Sequence, residues 1–154
     1  VNPGDRTTTR AAPISSRSMK FTFSSSYAAM RDVQKAILDE VDRNGYTGAA
    51  AYAIKIALDE GLINAVKHGN KLDPKKNVRV EANINSEQAE IIIHDEGVGF
   101  KRTDVPDPTA EENLEKCSGR GILLIEAYMT EVEWSDSGRR IRMIKKNEQE
   151  AVNT

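Results

Sequence analysis

The stretch Ala57-Leu58-Asp59-Glu60-Gly61-Leu62-Ile63-Asn64-Ala65-Val66-Lys67-His68-Gly69-Asn70 decides the reading of this chain. It closes a helical pattern that begins near Thr47, in which Ala50, Ala53, Ile54, Ala57, Leu58, Leu62 and Ala65 form an apolar stripe. Residues four apart on an α-helix lie about 40° from one another around its axis. Glu60, Asn64 and His68 therefore form one polar row, with Lys67 beside it. Gly61 inside the helix costs roughly 1 kcal/mol relative to alanine, which points to close packing or ligand approach at that turn, a harmless exposed glycine being the alternative. Gly69-Asn70 ends the helix near His68, and Asp73-Pro74 begins a turn.

Working outward, Met19 to Phe23 alternates apolar and polar residues and predicts a short strand with one buried face. Three serines, 24–26, then offer a helix cap. Met30, Val33, Ile37 and Val41 recur at three- and four-residue intervals and predict an amphipathic helix that stops at Asn44-Gly45. Beyond the central helix, Val78, Val80, Ala82 and Ile84 alternate with polar residues. Ala89 to Asp95 carries the run Ile91-Ile92-Ile93, and the two segments predict an antiparallel hairpin. Residues 100–118 hold Pro106, Pro108 and many acids, and read as a long loop. A helix from about Gly121 to Met129 follows, then strands from Glu131 to Ser135 and from Arg139 to Lys145, joined by a turn at Asp136-Ser137-Gly138. The order β-α-α-β-β-loop-α-β-β predicts an α+β fold, a two-layer sandwich whose mixed, mostly antiparallel sheet is covered on one face by helices.

The 154 residues suit one domain, expected over residues 19–147. Residues 1–18, rich in Ser, Thr, Pro and Arg without apolar periodicity, are expected to form a disordered tail, and residues 148–154 a flexible C-terminus. A formal net charge of −2 with no basic stripe argues against a nucleic-acid partner. No apolar run approaches the ~20 residues of a membrane span. The single cysteine, Cys117, excludes an internal disulfide and fits a reducing, cytoplasmic compartment.

Three motifs carry candidate chemistry. On the helix row, Glu60 can take a proton from an attacking hydroxyl or water. Asn64 offers a neutral oxygen to Mg²⁺, a hard ion that prefers oxygen ligands and keeps substrate phosphates in its shell. Lys67 and His68 can face phosphate charge. In the second motif, His94-Asp95-Glu96-Gly97-Val98-Gly99-Phe100, Asp95 ends a strand. There it can accept the exocyclic amino hydrogen of adenine, which guanine does not supply in that place. Gly97 and Gly99 permit tight turns and close backbone approach. In the third, Ser118-Gly119-Arg120-Gly121-Ile122 precedes a helix, where backbone N–H groups make an anion site and Arg120 adds a cation. Taken singly, each also reads as ordinary structure: a solvated helix face, a strand-to-loop turn, a common Gly-x-Gly. Together, in this order and with a long loop before the third where a lid would sit, they supply most of what an ATP site needs. His94 reads as structural, and Trp134 and Tyr128 as core or interface residues.

On these motifs the chain resembles the GHKL (Bergerat-fold) ATPase superfamily over about Phe21 to Lys145, and within it the bacterial anti-sigma factor serine protein kinases. Residues 57–70 look like that group's N box, 94–100 like its G1 box, and 118–134 like its G2 box with the helix and strand that follow. The resemblance implies the histidine-kinase-like ATPase fold, ATP and Mg²⁺ as cofactors, Glu60 as general base and Asn64 as Mg²⁺ ligand. It implies that Asp95 reads adenine with Gly97 and Gly99 shaping the pocket, and that Gly119, Arg120 and Gly121 bind phosphate. Members of this kind bind a sigma factor, phosphorylate a serine or threonine on an anti-sigma factor antagonist with a STAS domain, and commonly act as homodimers. Sensor histidine kinases need a helical domain with a phosphoacceptor histidine, and topoisomerase, Hsp90 and mismatch-repair relatives a further domain with a lysine. The expectation here is a stand-alone domain. Two functions follow, a protein kinase that also sequesters a sigma factor, or a nucleotide-gated binding module with little or no turnover.

Overall fold

The computed structural model describes residues 17–99 and 119–148. Within them the chain forms β1 (Arg17–Ser24), α1 (Tyr27–Arg43), α2 (Gly48–Ile63) continued by a π-helical turn (Asn64–Gly69), β2 (Asn77–Ile84), β3 (Gln88–His94), α3 (Gly119–Tyr128), β4 (Glu131–Ser135), a 3₁₀ turn (Asp136–Gly138) and β5 (Arg140–Lys146). Arg17 and Ser18, at the end of the expected tail, pair in β1. Residues 1–16, the expected loop with Cys117 and Ser118, and the chain beyond 148 lie outside the described residues.

The five strands lie in the order β1-β2-β3-β5-β4, and every described pairing is antiparallel. Alternation along the strands explains the two layers. Val78, Val80, Ala82 and Ile84 of β2, Ala89, Ile91 and Ile93 of β3, and Ile141 and Met143 of β5 are buried in one core. Met30, Val33, Ile37 and Val41 of α1 and Ala50, Ile54, Ala57, Leu58 and Leu62 of α2 complete it from the helical side. The opposite face of the sheet is charged, with Lys20 facing Glu81, and Arg142 bonded to Glu90 at 2.5 Å.

Local signals behave as the residues dictate. Ser26, the last of the three serines, caps α1: its Oγ accepts the Ala29 N–H at 3.1 Å. Asn44 caps the other end and Gly45 turns away with φ +86°. Tyr46 then tucks under the β2–β3 turn, buried, with its hydroxyl donating to the Asn85 carbonyl at 2.8 Å. Burial, and then the charge of Glu87, push its phenol well above the ordinary tyrosine range. Gly61 is explained by packing, since a Cβ there would stand 2.8 Å from Ile93 Cδ1.

The helix of residues 47–68 differs from expectation at its end. α-Helical winding stops at Ile63, and Asn64–Gly69 form a π turn whose ladder includes the Asn70 N–H bonded to the Ala65 carbonyl at 2.9 Å. Winding by i→i+5 places His68 off the α-spaced row of Glu60 and Asn64. Such turns are rare and concentrate at functional sites, and this one carries Gly69 onto the next motif.

Candidate functional site

The end of α2, the end of β3 and the β4–β5 turn enclose a cleft of about 580 Å³, including space open to solvent. Asn64, His68 and Asp95 line it with polar groups, and Ile93, Ile122, Trp134 and Ile141 give it an apolar wall. Mostly apolar concavities with a few convergent polar groups are what small-molecule sites look like.

Asp95 stands just beyond β3. Its N–H donates to the Arg139 carbonyl at 2.9 Å, and its Oδ1 accepts the Gly97 N–H at 2.8 Å. The second carboxylate oxygen has no hydrogen bond to any described residue. Burial raises the acid's pKa; the Gly97 N–H, His94 and Arg139 act against that, while Asp136 adds to it. The glycines are there for contact. A Cβ on Gly97 would fall 2.0 Å from the Gly69 carbonyl oxygen, and one on Gly69 2.6 Å from the Asp95 carboxylate. Gly99 has φ +81° and packs on the Ser137 carbonyl. The turn of the second motif is thus pressed against the π turn of the first.

Asn64 supplies the unexplained polar group. Both its side-chain Oδ1 and Nδ2 are buried without a hydrogen-bond partner among the described residues. A buried orphan carboxamide is costly unless something binds it. Its oxygen fits one ligand position of a hard cation, with phosphates and water completing the shell.

Glu60 lies one turn before Asn64, whose N–H bonds its carbonyl. It is half-buried and stands outside the residues that line the cleft. Burial, then the neighbouring Asp59, raise its carboxyl above the ordinary range, and the charge of Arg120 opposes them. Arg120 thereby joins the third motif to the first. The expected order of that motif changes slightly: Gly119, Arg120 and Gly121 form the first turn of α3 rather than preceding it. Gly119 and Gly121 are buried, in a helix packed against α2, while Arg120 is exposed. Ile122 reaches the cleft. Of the remaining candidates, His68 lines the cleft and is held toward its neutral form by burial and then by Lys67 and Lys71. Lys67 is exposed and does not line it.

Two cleft residues escape the sequence patterns. Trp134, on β4, lines the wall and donates from Nε1 to Glu126 at 3.2 Å. Arg139 lines the rim, its guanidinium bonded to Asp136 through Nε (3.3 Å) and Nη2 (3.1 Å) and to the Val98 carbonyl through Nη1 (3.3 Å). His94 is structural, as expected: Arg79 donates to its Nδ1 at 3.0 Å, so its Nε2 carries the proton toward Asp136 at 2.7 Å.

A helix end, a strand end and the first turn of a helix thus converge on one largely apolar cleft in an α+β domain. A family profile of the histidine kinase-like ATPase domain matches residues 23–145, and the chain belongs to that family. It is similar to the anti-sigma F factor of Clostridium perfringens strain ATCC 13124, 34% identical over 99 residues, which cover 60% of this chain and 70% of that one. It is also similar to the serine-protein kinase RsbW of Bacillus subtilis strain 168, 33% identical over 110 residues, covering 67% and 69% of the two chains. Among solved structures, the RsbU and RsbW domains of a Mycobacterium tuberculosis protein share the fold, with a TM-score of 0.57 at 17% identity. That match covers 85% of this chain and 32% of the other. No helix among the described residues is long and apolar enough to cross a membrane.

Proposed function

We propose that this domain binds Mg-ATP in the cleft, sequesters a sigma factor, and phosphorylates a serine or threonine of a STAS-domain antagonist. The relatives that carry the names anti-sigma F factor and serine-protein kinase support both halves of that reading. The observation that carries it is the pairing, in one cleft, of the buried, unpartnered Asn64 carboxamide with the Asp95 carboxylate. Asp95 takes the adenine amino group with its free oxygen. Asn64 holds Mg²⁺, which neutralises phosphate charge when bound. Glu60 orients the attacking hydroxyl and accepts its proton as the oxygen bonds to the γ-phosphorus and ADP leaves. Arg120, beside Glu60 in charge and exposed, meets phosphate oxygens as they arrive. His68, neutral, faces the same cleft.

One observation favours a second reading, a nucleotide-gated binding module: Glu60 does not itself line the cleft. Intact-mass measurement separates the two. The protein is incubated with Mg-ATP and a STAS-domain antagonist. A gain of one phosphate on the antagonist is expected. An unmodified antagonist that still forms a nucleotide-dependent complex establishes the binding module instead.

A further inference from the structure

The side chain of Asn70 is fully buried, and all of its bonds are to other segments of the fold. Its Nδ2 donates to Ser25 Oγ at 2.9 Å and to the Asn77 carbonyl at 3.0 Å, and its Oδ1 accepts the Glu96 N–H at 2.8 Å. These partners lie at the β1–α1 junction, at the start of β2 and in the turn after β3. The anchors are themselves tied down. The Ser25 hydroxyl donates to the Lys76 carbonyl at 2.8 Å, and the Asn77 N–H donates to Glu96 Oε1 at 2.9 Å. Both amide hydrogens and the oxygen of the carboxamide are used.

Glu96 sits between a residue that lines the cleft and a glycine packed behind the lining. Asp95 precedes it with a carboxylate in the cleft, and Gly97 follows it, pressed on Gly69. The bond from the Glu96 N–H to Asn70 therefore fixes the peptide that joins Asp95 to the turn. We infer that Asn70 is a positioning residue for base recognition: it sets the direction of the Asp95 carboxylate without touching the nucleotide. The inference rests on the reading that Asp95 accepts the adenine amino group. From sequence, Asn70 is a helix stop and nothing more.

A purely structural residue and a positioning residue differ in what they do to base selectivity. Asn70→Asp keeps an acceptor oxygen for the Glu96 N–H and loses both donors. Asn70→Ala loses all three bonds. ATP and GTP affinities are measured by calorimetry, with melting temperatures alongside. Asn70→Ala is expected to lose about tenfold in ATP affinity, the size of one hydrogen bond, with GTP affinity unchanged. Asn70→Asp is expected to melt lower yet keep most of the preference for ATP. If Asn70→Ala retains the wild-type ATP-to-GTP ratio, or if both variants lose it equally, the inference is wrong. Asp95→Asn in the same series separates the two readings. Should it keep the wild-type ratio, the role of Asp95 itself fails; should it lose the ratio while Asn70→Ala keeps it, only the role of Asn70 fails. If Asn70→Ala does not fold, amide exchange in the wild-type protein decides. The Glu96 N–H, on an exposed residue, is expected to exchange slowly and to be slowed further by ATP but not by GTP. Fast exchange, or equal slowing by both nucleotides, overturns the inference.

Discussion

Glu60→Ala is expected to bind ATP with near wild-type affinity and to transfer phosphate about 10²–10⁴-fold more slowly, the range that a positioned general base contributes. The separation of the two effects follows from geometry. Glu60 is one helical turn from Asn64 and lies outside the cleft lining, so the proposed base contact at Asp95 does not depend on it. Single-turnover transfer to the antagonist measures one effect, and calorimetric titration the other. Unaltered transfer in the alanine variant removes Glu60 from the base position. The pH profile adds a sign. A base works only when deprotonated, and burial raises the Glu60 carboxyl above the usual glutamate range, with Asp59 adding to the rise. Transfer should therefore fall, as pH is lowered, at a higher pH than an unperturbed glutamate would give. Arg120 opposes the rise, so Arg120→Gln should move that acid limb further up.

Asp95→Asn is expected to weaken ATP binding itself by roughly 10- to 100-fold, since hydrogen bonds to a charged partner contribute about 1.5–3 kcal/mol. In the wild-type protein one carboxylate oxygen is engaged by the Gly97 N–H, and on the proposed reading the other takes the adenine amino group. An asparagine has a single oxygen for both tasks, and its amide hydrogens meet either the Gly97 N–H or the adenine amino group as a second donor. Burial makes that mismatch more costly than it would be in water. Calorimetry with Mg-ATP checks the prediction, and an unchanged affinity takes Asp95 out of the adenine pocket.

How much of this was legible in the sequence depended on range. The apolar stripe of residues 50–65 and the alternation from Val78 to Ile93 placed the helix and the hairpin, because both patterns express local geometry. Glu60 and Asn64 keep the four-residue spacing that put them in one row. His68 does not, because the winding changes at Asn64. That change brings Gly69 against Asp95, a contact between segments more than twenty residues apart that no local pattern encodes. Trp134 and Arg139 reach the cleft only because β5 pairs with β3 and carries β4 and its turn with it. In the sequence they are a strand aromatic and a charge after a turn. Asn70 shows the same limit. Its burial is set by where Ser25, Asn77 and Glu96 arrive, so a residue that reads as a stop signal serves as a junction of four segments.

The measurement that bears most directly on the cleft as the ATP site is a ¹H–¹⁵N spectrum of the wild-type protein titrated with Mg-ATP. The chain has one tryptophan, so the Trp134 indole N–H is a unique reporter on the cleft wall. The backbone amides of Gly69 and Gly99 report on its lining, that of Gly97 on the turn packed behind Gly69, and the Asn64 side-chain amide on its polar end. Saturable shifts concentrated on these five groups are expected. A spectrum in which they stay put while ATP binds and shifts gather elsewhere contradicts the assignment of the cleft.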